Sequence, residues 1–277
     1  MTTAQKVIQY LAIAFAIFLT VTIIGGILSA VGFIGGFFTG EDITGEIQTY
    51  SVDADIQNLN VVIKAADVHI KEGDAFSVES SLKNLKVEEK DGRLIIKDTT
   101  EVKAQLFGSN TFKDAVLTLY IPEGAVFDHV SLTTGAGRLT VDHLSAGTLD
   151  FELGAGEVTI GTLVAAKSAD IEGGAGQITV SDGAINNLDL EMGVGQFHLT
   201  SALTGDCQLD SGVGEMNITL LGSKDDYKLE LEKGLGSISV DGKDISDHGN
   251  IGNGTNKVEI HGGVGAINVD FKELGAK

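Results

Sequence analysis

Carboxylates spaced two residues apart recur along the second half of the chain, and their chemistry is cation binding or acid–base catalysis. Alternate residues of a β-strand share one face, so each pair would lie on the same side of a strand. Stacked strands would place such carboxylates about 5 Å apart, where they repel one another. A bound cation, or a cationic peptide or envelope protein, would relieve this repulsion. The candidate binding residues are Asp150, Glu152, Asp170, Glu172, Asp189, Glu191, Asp210, Glu230, Glu232 and Glu259.

The same carboxylates also fit a solvated face, whose screened charges keep a protein soluble. A glycosidase dyad is a third interpretation, but a carboxylate that repeats in every strand favours a ladder over one pair. The chain has only Arg93 and Arg138 to serve a lyase, and its six histidines lack metal-type spacing. We therefore expect a non-enzymatic protein without a cofactor; a carbohydrate-binding or carbohydrate-active domain is the alternative.

A Gly-apolar-Gly triplet follows each carboxylate pair. A dinucleotide-binding loop would need a third glycine where Thr140 or Thr179 stands, followed by a helix. The calcium-binding repeat Gly-Gly-x-Gly-x-Asp needs a ligand where Ile178 and Ile267 stand. The triplets therefore predict structural turns, with Ala175 in the core, and no nucleotide site. The turn glycines are Gly135, Gly137, Gly154, Gly156, Gly174, Gly176, Gly193, Gly195, Gly212, Gly214, Gly234, Gly236, Gly263 and Gly265.

The composition limits the partners further. The chain has 19 Lys and Arg against 39 Asp and Glu, a formal net charge of −20. Nucleic-acid binding needs clustered basic residues, so it is excluded. A single cysteine, Cys207, excludes an intrachain disulfide framework.

The triplets recur every 19 or 20 residues from Gly135 to Gly212, and then at longer spacings. Apolar residues alternate with polar ones on both sides of each triplet, as in half-buried strands. We predict an all-β fold: a right-handed, single-stranded parallel β-solenoid (β-helix) with coils of about 19–20 residues. Four columns of apolar residues would form its core: Val130, Leu149, Ala169, Leu188, Cys207, Leu229 and Val258; Leu132, Phe151, Ile171, Leu190, Leu209, Leu231 and Ile260; Leu139, Val158, Ile178, Phe197, Met216, Ile238 and Ile267; Val141, Ile160, Val180, Leu199, Ile218, Val240 and Val269.

The N-terminal stretch from Val7 to Gly40 has no charged residue, which predicts one transmembrane α-helix in the lipid bilayer. Lys6 before it and Glu41 after it place the N-terminus in the cytoplasm and the solenoid outside the cell membrane. A cleaved signal peptide is the alternative. Gly32, Gly36 and Gly40 share one helical face, which suggests a homodimer through close helix packing.

These patterns predict six regions. They are a cytoplasmic N-terminus (1–6), the membrane anchor helix (7–38), a linker (39–51), irregular first coils with a hairpin at 85–98 (52–129), regular coils with an insertion loop at 241–257 (130–271), and a C-terminal tail (272–277).

The apolar N-terminus, the opening "IKAADVHIKEGDAFSVE", the stretch "YIPEGAVFDHVSLTTGAG" and the repeated Gly-x-Gly coils resemble a known family. It is the bacterial family of membrane-anchored β-strand-repeat proteins, described as proposed adhesins with a domain of unknown function. The resemblance covers about residues 52–271. It implies a single-pass, cell-surface solenoid of Gram-positive type, with relatives linked to envelope-stress responses, and it supplies no catalytic residues.

Overall fold

The computed structural model describes residues 43–52, 55–100, 115–245 and 248–273, which belong to one compact unit. Within these ranges no helix has the length and apolar character to cross a membrane, and the predicted anchor at 7–38 lies outside them. Apart from a 3₁₀ turn at Lys224–Asp226, the elements are strands. They are β1 (Thr44–Ser51), β2 (Asn58–Gly73), β3 (Ser77–Leu82), β4 (Leu85–Lys90), β5 (Arg93–Asp98), β6 (Val116–Pro122), β7 (Phe127–Asn186), β8 (Leu188–Thr204), β9 (Asp206–Leu221), β10 (Tyr227–Val240), β11 (Lys243–Asp244), β12 (His248–Ile251) and β13 (Asn256–Lys272).

The regular coils stack in parallel, with equivalent residues of successive coils side by side. Ile171 on β7 pairs with Leu190 on β8, and Leu190 pairs with Leu209 on β9. The sixty-residue β7 itself follows several coils in succession. Every residue of the four predicted apolar columns is buried, so the all-β parallel stack and its core are confirmed. Each coil alone would expose one apolar face to water, and stacking covers it. The right-handed sense stays a prediction.

Glycine is required in the triplets mainly because neighbouring coils approach closely. A Cβ on Gly176 would lie 1.9 Å from the carbonyl oxygen of Gly156, and the backbone there has φ +139°. At Gly174 the corresponding distance, to the oxygen of Gly154, is 2.4 Å. Both glycines are therefore necessary, but only Gly176 has a positive φ. The prediction that Ala175 lies in the core is wrong: it is half-buried, because the corner turns this residue towards solvent.

A simple repeat predicts coils that stack in chain order, but the last coils of this protein do not. β13 lies between β9 and β10 and is parallel to both. β10, although it precedes β13 in the chain, therefore forms the last coil. The apolar columns do not specify this order, because β10 and β13 carry the same kinds of residue at the same positions.

The N-terminal end of the stack is covered by shorter strands. β2 pairs with β5 along its first half and with β6 along its second, and β3 and then β1 continue the sheet from β6. The predicted hairpin is present as β4–β5, with Asp91 (φ 51°) and Gly92 (φ 69°) in its turn. β1 falls in the range predicted as a linker, where the sequence has no apolar alternation.

The C-terminal end is covered by part of the predicted insertion loop. β12 pairs antiparallel with the first part of β10, from Leu229↔Ile251 to Glu232↔His248. β11 pairs with its last two residues. These short strands cover part of an edge that would otherwise be open to pairing with another chain.

Candidate functional site

A large groove in the described part of the chain runs along the stack where each coil bends at its Gly-x-Gly triplet. Its volume is about 1150 Å³, and it spans seven coils, or roughly 29 Å at about 4.8 Å per coil. One wall carries the carboxylates that lie two residues before the first glycine of each triplet, and the floor consists of the glycine backbone with the buried Leu153 and Met192. We call this feature the acidic groove.

The predicted carboxylates form two columns on the stacked strands. The groove column lines the acidic groove and reads, in stacking order, Thr133, Glu152, Glu172, Glu191, Asp210, His261 and Glu232. The outer column lies two residues earlier in each coil and reads Ser131, Asp150, Asp170, Asp189, Gln208, Glu259 and Glu230. The structure thus places all ten predicted binding residues in two adjacent columns, and four of them in the central part of the groove.

The central coils hold carboxylates without basic partners. Within the described residues, no Lys, Arg or His forms an ion pair with Asp150, Asp170, Asp189 or the glutamates beside them. Loss of hydration raises the pKa of Asp170, and the negative charges of Asp189 and Asp150 raise it further. This is the electrostatic signature of like charges stacked in neighbouring strands.

The C-terminal coils carry the same columns with compensating cations. Lys228 Nζ lies 2.6 Å from Glu230 Oε1, and Lys257 contacts Glu259 and lies 3.8 Å from Glu230 Oε2. The hydrogen bond from Lys228 is the main reason why the pKa of Glu230 is lowered. In the groove column, His261 Nδ1 lies 2.8 Å from Asp210 Oδ1. The run of adjacent carboxylates in the groove column therefore ends at Asp210, because His261 stands between Asp210 and Glu232.

The strand that follows each triplet presents a neutral polar ladder instead. Asn268 Nδ2 donates to Asn217 Oδ1 at 2.9 Å, and Ser239 Oγ donates to Asn268 Oδ1 at 2.8 Å. Asn217 and His198 contact one another at 3.3 Å. These side chains satisfy one another, so His198 belongs to a polar ladder.

Cys207 lies in the core, as predicted. Burial raises the pKa of its thiol, and its Sγ accepts a hydrogen bond from the Leu188 amide at 3.4 Å. A buried thiol of this kind is a small apolar residue and not a nucleophile.

The acidic groove is suited to binding extended cations by charge. In the described part of the chain no three His, Cys, Asp or Glu side chains converge as ligands for one metal ion. Sequence reasoning found the carboxylates but missed the concavity, which depends on the bend at the triplets. The position of His261 between Asp210 and Glu232 is likewise revealed only by the strand order.

Several solved structures are similar to this chain. One is named as a proposed cell adhesion protein from Clostridium sporogenes, with 18% identity and a TM-score of 0.37, covering 82% of this chain and 99% of that one. Another is named as a proposed adhesin from Bacteroides fragilis, with 14% identity and a TM-score of 0.42, covering 83% and 100%. A third, a proposed adhesin from Parabacteroides distasonis, has 15% identity and a TM-score of 0.39, covering 82% and 98%.

No curated protein matches the chain. The model of the Toastrack DUF4097 family matches residues 56–251, which include nearly all of the irregular first coils, most of the regular coils and most of the acidic groove. The chain belongs to the Toastrack DUF4097 family.

Proposed function

We propose that this protein is a non-enzymatic, surface-displayed binding protein whose acidic groove recognises extended cationic ligands, such as a basic peptide segment of an envelope protein. The observation that carries the proposal is the run of uncompensated carboxylates along the central groove. Adhesion, envelope scaffolding and sensing of cationic peptides would all use such a surface.

The groove has the shape that an extended ligand needs. It is open along its length, and it offers a carboxylate in each coil from Glu152 to Asp210. Lysine and arginine side chains are long and flexible, so a basic chain lying in the groove could reach these carboxylates without matching the coil spacing strictly. The outer column would add a second, longer-range layer of negative charge.

Binding would remove an energetic cost that is already present. Carboxylates side by side in neighbouring strands are destabilising, and a bound cation would convert each repulsion into an attraction. The buried core beneath them keeps the columns in place, so little ordering of the protein would accompany binding. Much of the affinity would come from exposed charges and would therefore fall with added salt.

The location at the cell surface is proposed from the sequence. The charge-free stretch 7–38 would anchor the chain in the membrane, with the solenoid outside the cytoplasm. Protease treatment of intact cells tests this: the solenoid should be cleaved from the cell surface, whereas protection of the whole chain would contradict the placement.

Affinity for oligolysine tests the binding function. Neutralising four central carboxylates (Asp170→Asn, Glu172→Gln, Asp189→Asn and Glu191→Gln) should weaken binding about 10-fold or more at low salt, since each exposed charge pair contributes about 0.2–1 kcal/mol. A matched control variant neutralises four exposed aspartates that lie outside both columns (Asp128→Asn, Asp142→Asn, Asp182→Asn and Asp270→Asn). Equal losses in the two variants would show that net charge, and not the groove, attracts the ligand.

A further inference from the structure

β13, the last strand in the sequence, lies between β9 and β10 in the stack, and this has a consequence for assembly. We propose that the space between β9 and β10 is a strand-acceptor site, which is filled by β13 of the same chain or by β13 of a second copy. The inference goes beyond the proposed function, because it concerns contacts between two chains and does not involve the acidic groove as a binding site.

Both walls of this site are complete strand edges. β13 pairs with β9 from Lys257↔Asp206 to Lys272↔Leu221, and with β10 from Asn256↔Tyr227 to Val269↔Val240. Without β13, the backbone groups of both neighbours would lose their partners over almost their whole length. A strand must therefore occupy the space, or β10 must move onto β9.

The core would accept either β13 or β10 directly beside β9. Leu209, Ile260 and Leu231 are equivalent residues of β9, β13 and β10, and all three are buried. The glycine positions are equivalent too: a Cβ on Gly263 would lie 2.3 Å from the oxygen of Gly212, and one on Gly234 would lie 2.3 Å from that of Gly263. Apolar packing alone does not choose the occupant.

Polar contacts identify the occupant as a strand with the sequence of β13. His261 contacts Asp210 on one side and is paired with Glu232 on the other, so it separates two carboxylates that would otherwise be adjacent. Asn268 donates to Asn217 and accepts from Ser239. β13 of a second copy would make the same contacts, because it has the same sequence.

The segment between β10 and β13 provides a hinge. Its two strands, β11 and β12, are two and four residues long, and each pairs with β10 alone among the described strands. Since the contacts of β13 are the same in either chain, the hinge and the protein concentration decide between closed monomer and exchanged dimer. Intrachain insertion benefits from an effective concentration on the order of millimolar, so exchange should appear only when chains fold at high local concentration.

A disulfide to the natural Cys207 reports which chain supplies β13. Cys207 pairs with Val258 in the register of β9 and β13, and a Val258→Cys substitution places a second thiol beside it. Cysteine already occupies this core column at position 207, so the substitution should be tolerated. Unlabelled and ¹⁵N-labelled full-length chains are mixed unfolded in detergent, refolded from low micromolar to the highest soluble concentration, oxidised, and analysed by mass spectrometry.

The proposal predicts disulfides between labelled and unlabelled chains, together with a covalent dimer, whose fraction rises with concentration. At low concentration, only disulfides within one chain should form. Chains that form only intrachain disulfides at every concentration would overturn the proposal. A Leu229→Cys variant should form no disulfide with Cys207, because β13 separates the two strands; if that disulfide forms, β10 lies on β9 and the acceptor site does not exist.

Discussion

The central coils and the C-terminal coils share one architecture but differ in how they treat the same acidic columns. In the central coils, the carboxylates of the two columns, from Asp150 to Glu191, stack without basic partners among the described residues, and the pKa of Asp170 is raised. In the C-terminal coils, Lys228 and Lys257 neutralise charges of the outer column, and His261 in the groove column contacts Asp210 and stands where another carboxylate would lie. The same backbone geometry therefore allows lysines beside these carboxylates, and their absence from the central coils is a property of the sequence there.

This difference favours a binding role for the central coils over a purely solubilising one. A face that only had to stay soluble could mix both charge signs, as the C-terminal coils do. The cost of the central repulsion is small per residue, since the side chains are exposed. It remains a cost in the free protein, and a cationic ligand would remove it.

The largest expected effect tests the architecture that both regions share. Gly176→Ala in a central coil and Gly265→Ala in the C-terminal coil should each destabilise the protein by more than about 3 kcal/mol, because the new Cβ would meet a carbonyl oxygen at 1.9 or 1.6 Å and the backbone has positive φ. Gly242→Ala is the control: φ is +68° there, but nothing lies within 4 Å, so the loss should be only about 1 kcal/mol. Denaturant unfolding measures all three; a loss at Gly176 no larger than at Gly242 would contradict the close approach of coils.

The next effect recreates the central charge pattern in the C-terminal coils. His261→Glu removes the contact with Asp210 and stacks three carboxylates, which should cost about 1–2 kcal/mol. His261→Gln keeps a neutral polar group and should cost clearly less. Thermal unfolding at two salt concentrations measures the difference, which should shrink as salt rises; a difference that is independent of salt would point to packing instead of charge.

The converse change brings compensation into the central coils. Glu172→Lys places a cation between Glu152 and Glu191, and it should stabilise the protein by about 0.5–1 kcal/mol, the usual range for opposite charges across strands. The same variant should bind oligolysine more weakly. Asp182→Lys, at an exposed position outside the two columns, is the control for net charge. Equal stabilisation by both substitutions would show that overall charge, and not the ladder, is being relieved.

The smallest effect is a pH dependence at Asp170. Because its folded pKa is raised, the folded state keeps its proton at pH values where the unfolded state has lost it, and stability falls as pH rises through that interval. Asp170→Asn should therefore stabilise by about 0.5 kcal/mol at neutral pH and have no effect below the unfolded pKa. Asp241, whose pKa is lowered chiefly by the hydrogen bond from Lys224, should show the opposite sign: Asp241→Asn destabilises at neutral pH and is neutral in acid. Unfolding curves measured across this pH range test both variants. A stability change of the same sign in both would contradict the opposite pKa shifts of Asp170 and Asp241.

The sequence predicts the coil template because each position has a strict physical requirement. Apolar residues such as Phe151 and Phe197 must face the core, and a side chain at Gly176 would collide with the next coil. These requirements repeat, so one sequence reveals them. The hairpin turn at Asp91 and Gly92 is equally local, since both residues need positive φ.

Strand order and groove shape were not predictable in the same way. β10 and β13 have interchangeable core residues, so their order depends on polar pairs such as Asn217–Asn268 and on the intervening hinge. The groove arises from the bend between two strands of each coil, which the periodicity locates but does not measure. The compensation of Glu230 by Lys257 likewise follows only from the neighbour relation between β10 and β13.

The most direct test of the central claim is to locate a bound cation chemically. Oligolysine is bound to the full-length protein at low salt and coupled with a carbodiimide, which joins amines only to carboxylates in contact with them, and the linked residues are identified by mass spectrometry. The charge difference between the two regions predicts links to Glu152, Glu172 and Glu191 in the groove column, with few at Glu230 and Glu259, where lysines already occupy the carboxylates. Links distributed evenly over exposed carboxylates such as Asp142 and Asp182 would contradict the account.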